Sequence, residues 1–206
     1  MSWDALQTKK FINTIADIMT ENKDLLISLD SKVGDGDLGL TMSDGFQAAS
    51  EAIKDKDELD VGKLFYYAGK AMAAKVPSTM GTLMANGMMT AGKQLKGRME
   101  LDNDGICSIM ECWQEGVTKM GKAKEGEKTF LDGIAPAVRA MKEMSNQDTK
   151  VMAAEGAKAA KQGAENTVGM LAVHGRAAIR GEESRKLLDP GAVVASLIVE
   201  ALDKSL

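Results

Sequence analysis

The sequence predicts an all-α fold of about eight helices, and three observations carry that expectation. Aromatic residues are only 4% of the 206 residues while Ala, Met, Lys and Glu are abundant, a balance that suits packed helices better than pleated sheet surfaces. Apolar residues recur at intervals of three and four along most of the chain. No stretch alternates β-branched and polar residues as a half-buried strand does. At this length a chain buries roughly 70% of its unfolded surface without disulfides. No repeat, heptad array or low-complexity linker divides it, so one domain over residues 1–206 is expected.

The elements follow in order. Leu6, Phe11, Ile12, Ile15, Ile18 and Met19 define one face of a first helix that frays near Glu21 and Asn22. A short turn of helix carries Leu25, Leu26 and Leu29 to Asp30. After a glycine-rich loop, the next helix opens near Leu38 and runs through Met42, Phe46, Ala49 and Ile53, with DKDELD as a solvated connector. Helices are expected from Val61 to Lys75, from Ser78 to about Lys96 behind Pro77, and from Gly105 to about Met120 after the turn LDND. A helix from Thr129 to Met144 must absorb Pro136, which lacks a backbone donor. The Ala-rich segment from Asp148 through AAEGAKAAKQGAENTVGMLA reads as one long helix. The last helix starts at Asp189-Pro190-Gly191, with Asp as N-cap and Pro at the first helical position.

Charge and composition exclude several functions. A net charge of −4 without a basic stripe argues against a sequence-independent grip on nucleic acid. The only cysteines, Cys107 and Cys112, match neither a CxxC pair nor a zinc-ligand set, so they read as reduced thiols of a cytoplasmic protein. The opening MSWDALQTKK has no apolar signal region, and the longest apolar run, Ala192 to Val199, is far too short to span a bilayer; neither export nor a membrane partner is expected. Met80, Met84, Met88 and Met89 sit at helical spacing and read as core filler.

The stretch VGDGDLGLTM, with Asp30 just before it, is the strongest chemical signal. Asp30, Asp35 and Asp37 fall within eight positions, and two such charges ~5 Å apart at an effective dielectric near 20 repel by about 3 kcal/mol. A surface turn explains the glycines but not the carboxylates. Three hard oxygen donors on a tight loop suit Mg²⁺, which completes its shell with water and phosphate; the EF-hand spacing that would favour calcium is missing. Gly34 and Gly36 allow positive φ, and a helix opening at Leu38 directs the amides of Gly39, Leu40 and Thr41 toward an anion at the same point. A metal-phosphate site is the preferred reading of the residues themselves, with a structural turn as the alternative.

GDGDLGLTM also resembles the GDGD-x-G signature of the nucleotide-binding, L-type subunit of dihydroxyacetone kinases. The resemblance continues through GKAKEGEKTFLDGIAPAV and through GRAAIRGEESRKLLDPGAVVASLIVEAL, in family order over nearly the whole chain. It implies a single kinase domain, an antiparallel barrel of eight helices with ADP or ATP at one end, and two Mg²⁺ ions ligated by Asp30, Asp35 and Asp37. It places Leu38, Gly39, Leu40 and Thr41 along the phosphates. Gly121 and Phe130 would flank adenine or ribose, Arg176 would meet the phosphates as the catalytic residue, and Asp189 with Gly191 would complete the rim. Where the family usually has a Ser-Gly pair this chain has Met80-Gly81, leaving Ser78 or Thr79 to supply a hydroxyl. The implied acceptor, dihydroxyacetone or a related short ketose, is held by a separate K-type subunit, with a phosphotransferase-system protein as one candidate phosphoryl donor. The oligomeric state, a homodimer included, stays open.

Competing readings remain beside these. Arg176 has Glu182 and Glu183 nearby in sequence, but an exposed pair contributes only about 0–1 kcal/mol and a guanidinium fork suits phosphate better. His174, the only histidine, reads as structural. GKAKEGEKT approaches a P-loop, but Glu127 intrudes between Gly126 and Lys128 and helical residues precede it, so a P-loop is rejected. Rival functions are the nucleotide module of a fatty-acid-kinase-like system and a nucleotide-sensing regulatory subunit without transfer activity.

Overall fold

The computed structural model describes residues 3–206 and is all-helical. Its α-helices are α1 (Ala5–Glu21), α2 (Lys23–Val33), α3 (Leu38–Glu51), α4 (Val61–Lys75), α5 (Thr79–Gln94), α6 (Asn103–Gly121), α7 (Phe130–Glu143), α8 (Thr149–Glu165) and α9 (Pro190–Ser205). A 3₁₀ segment, Arg176–Lys186, lies between α8 and α9. Among the described residues no helix is long and apolar enough to cross a membrane.

Most boundaries are set by side-chain caps that occupy amides left unpaired at helix starts. Asp4, Asp60, Ser78, Asp102, Asp148 and Asp189 each accept a bond from the first turn of the following helix. Thr129 and Asp132 form a reciprocal capping box at α7. Asp60 departs from the solvated connector expected of DKDELD: it is buried, and its second oxygen accepts the Gly97 amide at 2.9 Å, so it ties the α5–α6 loop to the start of α4.

From α3 through α9 each helix packs on the next; α9 closes on α1, and α1 on α3. Eight α-helices thus form a closed circuit, while α2 lies outside it against α3. The circuit encloses one continuous apolar core in which Trp3, Phe11, Phe65 and Trp113 meet edge to face, with centroids 5.5 to 6.5 Å apart. Met84 and Met88 are core filler as expected, whereas Met80 and Met89 are only partly buried. Pro136 is accommodated inside α7, and Gly163 of α8 packs against the Asp132 carbonyl that a proline at 136 leaves without its helical donor.

Three expectations need correction. Leu6 is 75% exposed, so it lies off the buried face of α1. The short turn after Asn22 is a full helix, α2, because Asn22 ends α1 and starts α2 while Leu26 anchors the new helix in the core. The Ala-rich helix stops at Glu165 rather than continuing to Ala172: the Thr167 hydroxyl turns back to the Ala164 carbonyl at 2.6 Å, and Gly169 takes φ 97°.

Both cysteines are buried and unpaired, Cys107 against the Met152 sulfur and Cys112 donating to Gln94 Oε1. Burial pushes their thiols up to about 11 and about 12. At pH 8 the native protein should react with a disulfide reagent at least about 100-fold more slowly than a free thiol, and two thiols should titrate rapidly in denaturant. Fast native labelling would show that α6 opens far more readily than its packing indicates.

Candidate functional site

A cleft of about 610 Å³ opens at one end of the circuit. The N-termini of α3, α5, α7 and α9 line it, through Leu38, Ser78 and Thr79, Phe130, and Pro190 with Gly191. The C-terminal ends of α2 and α6 contribute Val33 and Gly121. Unpaired amides and the partial positive charge of a helix start favour an anion, and four such starts face one space. The wall between them is apolar, built from Met80, Leu83, Val117, Ala123 and Phe130.

The carboxylate trio stands at the α2–α3 corner. Each of Asp30, Asp35 and Asp37 offers an oxygen within 4.8 Å of the other two. Local backbone chemistry produces this. Gly36 takes φ 77°, and a Cβ on Gly34 would stand 2.5 Å from Asp30 Oδ1, so a side chain at 34 would take the carboxylate's space. Gly34 itself has φ −129°, so its role is room rather than positive φ. Asp37 occupies the N-cap position of α3, yet its side chain makes no cap bond. Asp30 Oδ2 instead accepts the Leu38 amide at 3.3 Å. Asp37 titrates above the usual carboxylate range, through burial first and then through the charges of Asp35 and Asp30.

One cation of the chain already meets this trio: Arg176 Nη2 lies 2.8 Å from Asp35 Oδ2. The partner is therefore neither Glu182 nor Glu183, which pair with Arg185 and Lys186. Three hard oxygen donors around a point that attracts a guanidinium fit a divalent cation.

The structure brings together most, but not all, of the residues singled out from sequence. Asp30, Asp37, Leu38, Ser78, Thr79, Gly121, Phe130, Arg176, Asp189 and Gly191 line the cleft. The stretch Leu38 to Thr41 does not lie along it as a loop. Gly39 packs against the Lys23 carbonyl of α2, Leu40 is half exposed, and Thr41 is buried with its amide given to the Asp37 carbonyl inside α3. The Thr41 amide is thus not free for an anion. The helical bond pattern could have shown this, since with Asp37 as N-cap the fourth helical amide, that of Thr41, closes the first intrahelical bond.

Two titratable residues of the cleft were not among the sites expected from sequence. His174, read as structural, lines the cleft and holds Glu127 Oε2 at 2.6 Å. Lys128 is 2% exposed, adopts φ 60°, and its ammonium bonds two backbone carbonyls. The sequence signals near it are the failed P-loop pattern and the family-like stretch GKAKEGEKTFLDGIAPAV, and the structure agrees that no P-loop is present: the segment follows α6 rather than a strand.

Fold and site together define an all-α domain with a carboxylate trio and several helix N-termini around one apolar-walled cleft. Residues 32–204 match the family model of the DAK2 domain. The chain belongs to the DAK2-domain family. It is 32% identical over 202 residues to the ADP-binding subunit DhaL of PEP-dependent dihydroxyacetone kinase 1 from Listeria innocua, covering 98% of this chain and 97% of that protein. The corresponding Escherichia coli subunit is 29% identical over 204 residues, covering 98% and 97%. The crystal structure of dihydroxyacetone kinase from C. freundii in complex with AMP-PNP and Mg²⁺ shares the fold, with a TM-score of 0.71 at 22% identity over 97% of this chain and 34% of that one.

Asp189 generates a test of its own. It caps α9 by accepting the Ala192 amide at 2.7 Å, and burial pushes its carboxyl up to about 7 against the pull of that amide and of Lys128. A folded-state value above the unfolded one, about 3.9, stabilises the fold fully below pH ~4 and loses that contribution as pH rises toward about 7. Asp189→Asn keeps the cap and cannot ionise. Urea unfolding between pH 4 and 8 should show the wild type losing a few kcal/mol more stability than this variant. Identical pH slopes would contradict the buried acid.

Proposed function

We propose that the chain is the nucleotide-binding phosphoryl-transfer subunit of a dihydroxyacetone, or related short-ketose, kinase. The observation that carries the reading is that Asp30, Asp37, Arg176 and four helix N-termini line one cleft, with Asp35 completing the carboxylate trio beside it. The names of the relatives agree with it, since several are ADP-binding subunits of PEP-dependent dihydroxyacetone kinases. The alternation of helix ends around the cleft supports an antiparallel eight-helix barrel with the nucleotide at one end.

On this reading Asp30, Asp35 and Asp37 hold two Mg²⁺ ions. Bound there, Mg²⁺ supplies charge neutralisation for the phosphate oxygens. The chain's residues do the rest. The amides at the starts of α3 and α5, with the hydroxyls of Ser78 and Thr79, receive the phosphates of ADP or ATP. Gly121 leaves the base room against Phe130 and the apolar wall. Arg176, at the mouth, offers its guanidinium to the transferring group, where a planar fork matches phosphate oxygens. Phosphoryl transfer asks the protein mainly for position and charge, so no nucleophile is needed from this chain. The ketose is held in trans by a K-type subunit. The PEP-dependent relatives favour ADP that stays bound and is rephosphorylated by a phosphotransferase-system protein in the cytoplasm.

The test is reconstitution. Purified protein should retain ADP, and with a K-type subunit, the phosphotransferase donor proteins and phosphoenolpyruvate it should phosphorylate dihydroxyacetone. Asp35→Ala and Asp37→Ala should each lower transfer by at least about 100-fold with unchanged helical circular dichroism. Either variant working at the wild-type rate would overturn the metal assignment. A chain that binds ADP yet never supports ketose phosphorylation would be a nucleotide-sensing subunit instead.

A further inference from the structure

Between α8 and α9 the chain runs out as a strap, residues 168–186, that carries His174 and Arg176 to the cleft. This strap has almost no core of its own. Ala172 and Ser184 are its buried members, joined by a 3.0 Å bond from the Ala172 amide to the Ser184 hydroxyl, while Val168, Val173 and Ile179 are exposed, Ile179 at 86%. Gly169, Gly175 and Gly181 all take positive φ, and no large apolar side chain of the strap is buried. Its order therefore rests on polar ties: His174 to Glu127 and Arg176 to Asp35 along its length, and the bonds at its two ends.

Both ends meet one side chain. Lys128 Nζ donates to the carbonyl of Thr167, the residue before the strap, and to the carbonyl of Leu187, the residue after it, each at 2.5 Å. Gly169 and Arg185 close the neck just beyond, through the Gly169 amide to the Arg185 carbonyl and the Arg185 guanidinium to the Gly169 carbonyl, each at 2.7 Å. The Thr167 hydroxyl accepts the Asp189 amide at 3.0 Å, which fixes the neck to the cap of α9. A buried ammonium is retained only where bonds and charge offset its desolvation. Here Asp189 and Asp132 supply the charge against burial and Arg185. Lys128 also holds a left-handed backbone that a lysine rarely adopts, which indicates a position over-determined by its surroundings.

We propose that Lys128 is a positioning residue: by joining the carbonyls of Thr167 and Leu187 it sets the strap and so places Arg176 over the cleft. The inference about the strap stands without ligand; its consequence for nucleotide binding rests on the function proposed above.

Hydrogen exchange on the ligand-free full chain tests the first part. In Lys128→Met the amides of Gly169, Ala172 and Leu187 should exchange at least about tenfold faster than in the wild type, with those of α1 and α5 unchanged. Unchanged strap amides, or a uniform rise across the fold, would overturn the proposal. Should Lys128→Met fail to fold, nitrogen-15 spectra of the wild-type lysine ammonium groups decide it: one slowly exchanging ammonium supports the clamp, and none overturns it. Mg-ADP titration tests the second part. Lys128→Met should weaken binding about tenfold in the wild type and by less than about threefold in an Arg176→Ala background, because the lysine acts through the arginine. Additive losses would overturn the positioning role. No Mg-ADP binding by the wild type would count against the nucleotide reading alone and leave the exchange result standing.

Discussion

Mutual repulsion among three carboxylates is the constraint around which this molecule is arranged. Asp30, Asp35 and Asp37 keep oxygens within 4.8 Å of one another, an arrangement that must be offset by positive charge. Part of the offset is built in. The start of α3 presents its partial positive end, the Leu38 amide bonds Asp30, and Arg176 reaches across to Asp35. Asp37 is left without a cap bond at a position where acidic residues elsewhere in this chain cap their helices. A fold selected for stability alone would use that carboxylate; here it stays with the other two, as the proposed cation site requires.

The rest of the architecture serves to hold that corner against a cleft. The closed circuit buries its apolar faces inward and brings four helix starts to one end. Those starts make the cleft attractive to phosphate, and the apolar wall between them offers a surface for a base. Arg176 arrives on a strap that the core does not support, so its placement depends on polar ties: Lys128 at the neck, His174 with Glu127, and the ion pair to Asp35. A short loop between two helices carries Asp35 and Asp37, and a loosely packed segment carries the arginine.

Much of this was legible in the sequence because caps and periodicity are local. Ser78, Thr129 and Asp189 mark the starts of their helices, and the crowding of Asp30, Asp35 and Asp37 is visible in eight positions of sequence. The remainder depends on contacts distant along the chain. Lys128 meets carbonyls 39 and 59 residues away, so nothing near it hints at burial. His174 finds Glu127 across 47 residues. The strap was missed because 3₁₀ turns between glycines leave no apolar periodicity, and the same region misled the reading of α8, whose alanines are followed by a turn at Thr167 and Gly169. Thr41 was misread because its amide closes the first bond inside α3, to the Asp37 carbonyl.

The central claim is that the trio holds divalent cation jointly with a nucleotide's phosphates. Calorimetric titration of ADP with and without Mg²⁺ measures that coupling directly, since linkage makes each ligand tighten the other by the same factor. In the wild type Mg²⁺ should tighten ADP binding by at least about 100-fold, and Asp37→Asn should abolish most of that gain. ADP affinity that is the same in EDTA as in Mg²⁺ would contradict the account.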